Sequence, residues 1–315
     1  MMDVLCIGLI VADIVAQPVK EFPEKGKLVL VDNIELHNGG CATNTGITLA
    51  RLGVKTGVMG KVGEDGFGRF LLEVMKREGI DVSGVRKDET SHTSATCVLV
   101  DPDGERRFIH YIGANGKFSL SDIDWEVVEK YKLVHVAGAC IMPSLDGEPL
   151  GKLMERLKKM KKTTSLDTAW DATGKWLPRI ESALPYVDYF IPSLEEAREL
   201  SRRVSPEDIA DFFHEKGVKN VVLKMGEKGS FISTPDFKMT IPAFKVKAVD
   251  ATGAGDAFAG GFLKGILEGW SLEKSAKFAN AVGAFCVQAI GATQGIRNTR
   301  EVLQFIEERE SQGSK

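Results

Sequence analysis

The sequence predicts an α/β fold: a doubly wound, mostly parallel sheet flanked by helices, with a small β-sheet lid. Three observations predict it. Short apolar runs of strand length alternate with stretches of helical periodicity along most of the chain. Residues 14–38 and 91–115 break that rhythm with β patterning alone. Two runs of small residues, Gly39-Gly40 and Gly253-Ala254-Gly255, each open a helical pattern, far apart in the chain. Alternating strands and helices favour parallel pairing, because each crossover returns the chain through a helix to the same end of the sheet.

Residues 4–8 form a short apolar run ending in Gly8, as a buried parallel strand does. Residues 28–36 alternate and are rich in Val and Leu, which predicts a half-exposed strand. Residues 42–52 have helical spacing and stop at Gly53. A strand at 57–60 and a helix at 67–77, closed by Gly79, follow. Between Thr93 and Ile112 the period becomes two. Residues 95–100 and 107–112 predict a hairpin around Asp101-Pro102-Asp103-Gly104. Strands at 133–137, 164–167, 187–191 and 220–224 then alternate with helices at 150–161, 194–203 and 206–216. Helices at 253–267, 272–288 and 300–308 close the chain, and residues 309–315 are expected to fray. The core is thus assigned to residues 1–13, 39–90 and 116–315. The insertions 14–38 and 91–115 are expected to pair as the lid.

The chain has 315 residues and a formal net charge of -3, so it offers no basic field for nucleic acid or for an anionic membrane. No apolar run approaches the roughly 20 residues that span a bilayer. The N-terminal apolar stretch carries Asp3 and Asp13 and lacks a basic start, which argues for a core strand rather than a secretory signal. Five widely separated cysteines, with no Cys-x-x-Cys, fit reduced thiols and a cytoplasmic setting.

The chemistry is concentrated at Val249-Asp250-Ala251-Thr252-Gly253-Ala254-Gly255-Asp256-Ala257-Phe258. Small residues let a ligand approach the backbone. A helix start offers unpaired N–H groups and a positive dipole end, which suit phosphate. A carboxylate there, at Asp256, can take a proton from a hydroxyl while the N–H groups hold the anion under attack, and the helix is expected to favour its ionised form. The dinucleotide fingerprint fails because Phe258 stands where a third glycine is required, and no Gly-Lys pair is followed by Ser or Thr. A plain turn with an N-terminal helix charge would explain this stretch taken alone. The second stretch, Asn38-Gly39-Gly40-Cys41-Ala42-Thr43-Asn44 with Leu49-Ala50-Arg51-Leu52-Gly53, places an amide that can donate to and accept from sugar hydroxyls in the first turns of a helix.

Together, Gly-Gly-x-x-x-Asn, the Gly63-Glu64-Asp65-Gly66-Phe67-Gly68 segment and Asp-x-Thr-Gly-Ala-Gly-Asp resemble the signatures of the ribokinase, or phosphofructokinase-B (PfkB), carbohydrate kinases over essentially the whole chain. The resemblance implies an ATP-dependent kinase that phosphorylates a hydroxyl of a small carbohydrate. It implies Asp256 as the base and Gly253, Ala254 and Gly255 as the anion hole. It gives Asp13, as the acid closing the first strand, to the sugar together with Gly39, Gly40 and Asn44. Lys224, Gly226, Gly229 and Asn280 go to the nucleotide, and Glu196 goes to Mg2+ through water. Asp250 and Thr252, with the 291–295 loop, resemble a site for a monovalent cation such as K+. A lid with bare edges further suggests a homodimer through the lid.

Two departures stand out. Ser193 replaces the Asn of Asn-x-x-Glu, and Cys41 stands where ribokinases carry Lys, which argues against ribose itself. Trp170 and Trp176 are candidates to line the substrate pocket, or simply a packed loop. Sugar acids, sugar phosphates and nucleosides remain open as acceptors. A non-catalytic sugar-binding module would be marked by loss of the acid or of the small-residue turn, and both are present.

Overall fold

The computed structural model describes residues 2–313. The first third of the chain forms β1 (Met2–Gly8), β2 (Val11–Gln17), β3 (Asn33–Gly39), α1 (Cys41–Arg51), β4 (Thr56–Gly63), α2 (Gly66–Arg77), β5 (Asp81–Asp88), β6 (Ala95–Val100) and β7 (Arg106–Tyr111). The middle forms α3 (Trp125–Glu129), β8 (Tyr131–Ala139), α4 (Glu148–Lys159), β9 (Thr163–Thr168), β10 (Tyr189–Phe190), α5 (Leu194–Ser201) and α6 (Pro206–Glu215). The last part forms β11 (Asn220–Lys224), β12 (Ser230–Ser233), β13 (Lys238–Ile241), α7 (Ala254–Leu267), α8 (Leu272–Cys286) and α9 (Thr299–Gly313).

Nine strands make the main sheet in the order β13-β12-β11-β10-β9-β8-β1-β4-β5. Pairing is parallel from β11 to β5, and β12 and β13 add an antiparallel edge. The strand pleat sends successive side chains to opposite faces. Leu5 and Ile7 of β1 join one buried cluster with Leu150, Leu153, Ile209 and Phe213 of α4 and α6. Val4 and Cys6 join the other with Ile47, Leu71, Phe258 and Phe262 of α1, α2 and α7.

The second sheet has four strands in the order β3-β2-β6-β7. It unites the two β insertions: β2 pairs antiparallel with β3 and parallel with β6, which pairs antiparallel with β7. This is the expected lid.

Several details differ from the sequence reading. The strand expected at 28–36 is β3, running from Asn33 to Gly39. Its pairing with β2 sets those bounds, Asn33 opposite Gln17 and Gly39 opposite Val11, and leaves Leu28 and Leu30 outside the sheet, 78% and 86% exposed. The first strand ends at Gly8, so Asp13 does not close it but stands on β2 in the lid sheet. β5 carries too few apolar positions to show in the pattern, and β12, β13 and α3 are only four, four and five residues long. The helix expected to reach residue 203 stops at Ser201, because Arg202 turns left-handed at φ 56°. The tail expected to fray from Arg309 continues as helix to Gly313, and residues 314–315 lie outside the described residues. Among the described residues no helix is long and apolar enough to cross a membrane.

Candidate active site

The carboxyl ends of β1, β9 and β11 face the region where the lid joins, the place at which parallel α/β sheets bind ligands. Into this region comes the start of α7. Gly253 caps that helix at φ 75°, and no side chain caps it. A Cβ there would overlap the Ala292 carbonyl, so both the dihedral and the close approach require glycine. The Ala254 N–H donates to the Ala251 carbonyl at 3.3 Å, a long bond. The N–H groups of Gly255 and Asp256 occupy first-turn positions for which an α-helix supplies no acceptor.

Asp256, half-buried, has neighbours from α1 and β11. Asn44 Nδ2, on α1, donates to its Oδ2 at 2.9 Å. Asn38 Nδ2 in turn donates to Asn44 Oδ1 at 3.1 Å, so Asn38, Asn44 and Asp256 form one chain of bonds. The Cys41 thiol also donates to the carboxylate. Burial pushes the Asp256 carboxyl above its usual range, opposed by the Asn44 amide, the Lys224 ammonium and Cys41. Burial thus opposes the helix start, which favours the ionised form. Burial and the nearby Asp256 and Asp167 carboxylates likewise push the Cys41 thiol well up, so it acts as a neutral donor.

Lys224, at the end of β11, is placed beside Asp256 and the α7 start. Its Nζ lies 3.3 Å from where a Cβ on Gly255 would sit and 2.5 Å from Asp167 Oδ2 at the end of β9. Burial disfavours its charge, yet the Asp167, Glu196 and Asp256 carboxylates hold its pKa above the ordinary value. Burial pushes Asp167 upward against the pull of Lys224. Glu196 closes this cluster. Its Oε2 accepts from Thr168 Oγ1 and from the Ser193 N–H, both at 3.0 Å, while Ser193 Oγ accepts from the Glu196 N–H. Ser193 and Glu196 thus form a capping box on α5.

The lid face turned toward the core bounds a cavity of about 670 Å³ lined in part by Asp13, His37, Asn38, Arg106, Asp250 and Thr252. Asp13 stands opposite His37 across β2 and β3. Gly39 lets it do so, since a Cβ at 39 would overlap the Asp13 carboxylate. Burial raises Asp13 to about 6, with the Thr96 hydroxyl and His37 opposing and Asp256 reinforcing. Asp256 is not itself in the cavity lining but stands behind Asn38, through Asn44. Gly40, at φ 87°, precedes α1.

The remaining expected residues fall elsewhere. Gly226 and Gly229 bound the turn between β11 and β12, where Met225 N donates to the Gly229 carbonyl at 2.8 Å. Asn280 Nδ2 donates to the Ile241 and Pro242 carbonyls at 3.1 Å each, fastening the end of β13 to α8. Asp250 and Thr252, expected to hold a monovalent cation, are engaged by Arg106 of β7. Its Nη1 lies 2.5 Å from Asp250 Oδ1 and bonds Thr252 Oγ1 as well. Asp250 Oδ2 accepts from the Gly291 N–H at 2.8 Å. Burial works against the Asp250 carboxylate, but its bonds from Thr252 and Gly291 and the Arg106 charge hold its pKa below the usual value. Trp170 and Trp176 are outside the cavity lining. They pack edge to face at 4.9 Å, with the loop pinned by Asp171 Oδ2 accepting from the Trp176 N–H at 2.7 Å. Sequence reasoning missed Asp167 and Arg106. An acid at a strand's carboxyl end was the available signal for Asp167, and nothing local marked Arg106.

Among the described residues no cluster of three or more His, Cys, Asp or Glu could hold a metal. A hard cation such as Mg2+ fits this donor set only as one carried by phosphate oxygens and water, with Glu196 and Asp167 nearby.

An open helix start, a buried lysine and a β lid over the carboxyl ends of a parallel sheet define a phosphotransferase of ribokinase fold, acting on an alcohol group. The description "pfkB family carbohydrate kinase" matches residues 1–299, and the chain belongs to that family. Among relatives, the 2-dehydro-3-deoxygluconokinase of Bacillus subtilis is 30% identical over 295 residues, covering 90% of each chain. The ribokinase of Thermotoga maritima superposes with a TM-score of 0.83 at 28% identity, covering 98% of this chain and 100% of that one. A candidate ribokinase II from E. coli, solved in complex with ATP and Mg2+, superposes with a TM-score of 0.86 at 26% identity, covering 98% and 100%.

Proposed function

We propose that the protein is an ATP-dependent sugar kinase in which Asp256 is the base that deprotonates the attacking hydroxyl. The observation that carries this reading is the Asp256 carboxylate in the first turn of an uncapped helix, oriented by Asn44 at 2.9 Å. The amides of Gly253, Ala254 and Gly255 hold the transferring phosphoryl group. The Gly255 and Asp256 N–H groups are the best placed, since Ala254 already has a partner. Each well-placed charge-assisted donor contributes about 1.5–3 kcal/mol. Phosphoryl transfer passes through a loose transition state, so positioning and charge do most of the work. A base whose pKa has been raised by burial takes the proton more readily.

In this reading Asp13, Gly39, Gly40 and Asn44 bind the sugar, Asp13 from the cavity beneath the lid and Asn44 from beside Asp256. Lys224 is placed to neutralise phosphate charge, and Gly226, Gly229 and Asn280 shape the nucleotide side. Mg2+, bound through the triphosphate with Glu196 behind water, supplies further neutralisation. A monovalent cation at Asp250 and Thr252 has to compete with the Arg106 guanidinium, which a K+ titration of activity reads. The lid face away from the cavity carries the row Leu36, Ile14, Cys97 and Ile109 in register, with Ile109 56% exposed. That row supports pairing of two lids in a homodimer, and sedimentation as a monomer at micromolar concentration removes the idea. All five cysteines are free thiols, which supports a cytoplasmic setting. The B. subtilis relative's name points to a sugar acid as one acceptor class.

The test is Asp256→Asn, expected to lower kcat by about 10²–10⁴-fold while nucleotide binding and thermal unfolding stay near wild type. Wild-type turnover by that variant removes the assigned role.

A further inference from the structure

Asp250 and Thr252, the expected ligands of a monovalent cation, do not fit one as they stand. K+ needs oxygens with free lone pairs in place of its hydration shell. A carboxylate offers about four such sites, and donors already occupy them at Asp250. Its Oδ1 accepts from the Thr252 N–H at 2.9 Å, from Thr252 Oγ1 at 2.6 Å and from Arg106 Nη1 at 2.5 Å. Its Oδ2 accepts from the Gly291 N–H at 2.8 Å. The Thr252 hydroxyl, having given its proton to Asp250, accepts from the same Arg106 Nη1. Three of these four donors to Asp250 belong to the core. Arg106 alone comes from the lid, at the start of β7, so a cation enters only by displacing the guanidinium.

The place of this pair gives it a role. Thr252 directly precedes Gly253, the cap of α7. Gly291 directly precedes Ala292, whose carbonyl lies against Gly253. Asp250 thus ties the approach to the open turn onto the 291–292 loop. A largely buried carboxylate left unpaired there would be costly and would repel a phosphate at the neighbouring helix start. On the kinase reading above, we infer that Arg106 is a positioning residue of the proposed phosphate cradle: its guanidinium, delivered by the lid, takes the place of a monovalent cation at Asp250 and Thr252, and the enzyme works without K+. Arg106, Asp250, Thr252 and Gly291 all line the cavity beneath the lid. Truncating the arginine therefore opens the two oxygen-bearing side chains to a small ion from solvent.

The experiment compares wild type, Arg106→Ala and Arg106→Lys in potassium chloride and in tetramethylammonium chloride of equal ionic strength. ADP release is followed over a panel of sugars, sugar acids and nucleosides, and thermal unfolding is followed in the same salts. Wild type should differ between the salts by less than about 2-fold in kcat and about 1 °C in Tm. Arg106→Ala in tetramethylammonium should lose about 10–100-fold in kcat. Adding K+ or millimolar guanidinium should restore at least about 5-fold of that, and K+ should raise the variant's Tm by about 2 °C. Arg106→Lys keeps the charge without the planar fork and should retain most of kcat in either salt. Stimulation of wild type by K+ of about 10-fold or more overturns the inference. So does an Arg106→Ala enzyme that turns over like wild type without added cation, or one that neither K+ nor guanidinium restores. If wild type phosphorylates no member of the panel, the kinase reading fails, and unfolding still decides the occupant of the cation site. A K+-dependent rise in Tm confined to Arg106→Ala supports the guanidinium there, and any other pattern overturns it.

Discussion

Two helices of this chain begin in opposite ways. α6 begins at Ser205, whose hydroxyl accepts from the Asp208 N–H at 3.1 Å, with Pro206 in the first helical position. α7 begins at Gly253, with no side chain over its first turn. Proline removes a donor that would otherwise be orphaned, and serine satisfies another, so α6 is closed to outside ligands. Glycine removes nothing and satisfies nothing, so the α7 donors remain for something else. The difference teaches where to look for anion chemistry: not at helix starts as such, but at those the sequence declines to cap and then surrounds with Asp256 and Lys224.

Variants can break or sharpen this contrast. The largest effect after loss of Asp256 is expected from Lys224→Met. It removes the positive charge beside the open turn and leaves Asp167 buried without its partner. kcat should fall by about 10²–10³-fold, and stability by about 3–5 kcal/mol. Adding Asp167→Asn should recover most of the stability in denaturant unfolding and little of the activity. Recovery of both would show the lysine to be structural only.

Next comes a paired comparison of the two caps. Gly253→Ala places a Cβ against the Ala292 carbonyl at positive φ, so kcat is expected to drop by about 10–100-fold. Ser205→Ala should cost about 1 kcal/mol of stability, read as a fall in Tm, with kcat/KM unchanged. Equal kinetic effects from the two would erase the distinction between an open and a closed start.

The smallest effect is a pH dependence. Asp13 is raised to about 6 by burial, so if its carboxylate accepts sugar hydroxyls, kcat/KM should decline as pH falls through about 6. Asp13→Asn should flatten that limb while lowering its plateau. The sign for stability is opposite to that of a salt-bridged acid. A folded pKa above the unfolded one makes the native state hold the extra proton. Its contribution is therefore present at low pH and is lost as pH rises from about 4 to about 6. Comparison of wild type with Asp13→Asn isolates it from Asp146, which burial raises to about 7.

Much of this was legible in the chain. The strand-helix alternation shows because interior strands such as β1 are apolar on both faces, as with Leu5 and Cys6. The helix starts show because small residues and acids sit at fixed local offsets. β2 did not show, since Asp13 interrupts a run that the lid buries on one side only. Pairings across the sheet were also invisible. Lys224 meets Asp167 from 57 positions away and Arg106 meets Asp250 from 144 positions away. Tertiary folding, rather than local sequence, brings each pair together.

The lid is stitched from two separate stretches of chain by the parallel pairing of β2 with β6. Asp13 and Arg106 therefore ride on a single plate. A hinge movement of that plate cannot seat the acceptor's acid without also bringing the guanidinium to the segment leading into α7. If the lid hinges as one body, grip on the proposed sugar and setting of the proposed phosphate cradle become one mechanical event, and relaxation measurements on β2 and on β7 should return the same exchange rate.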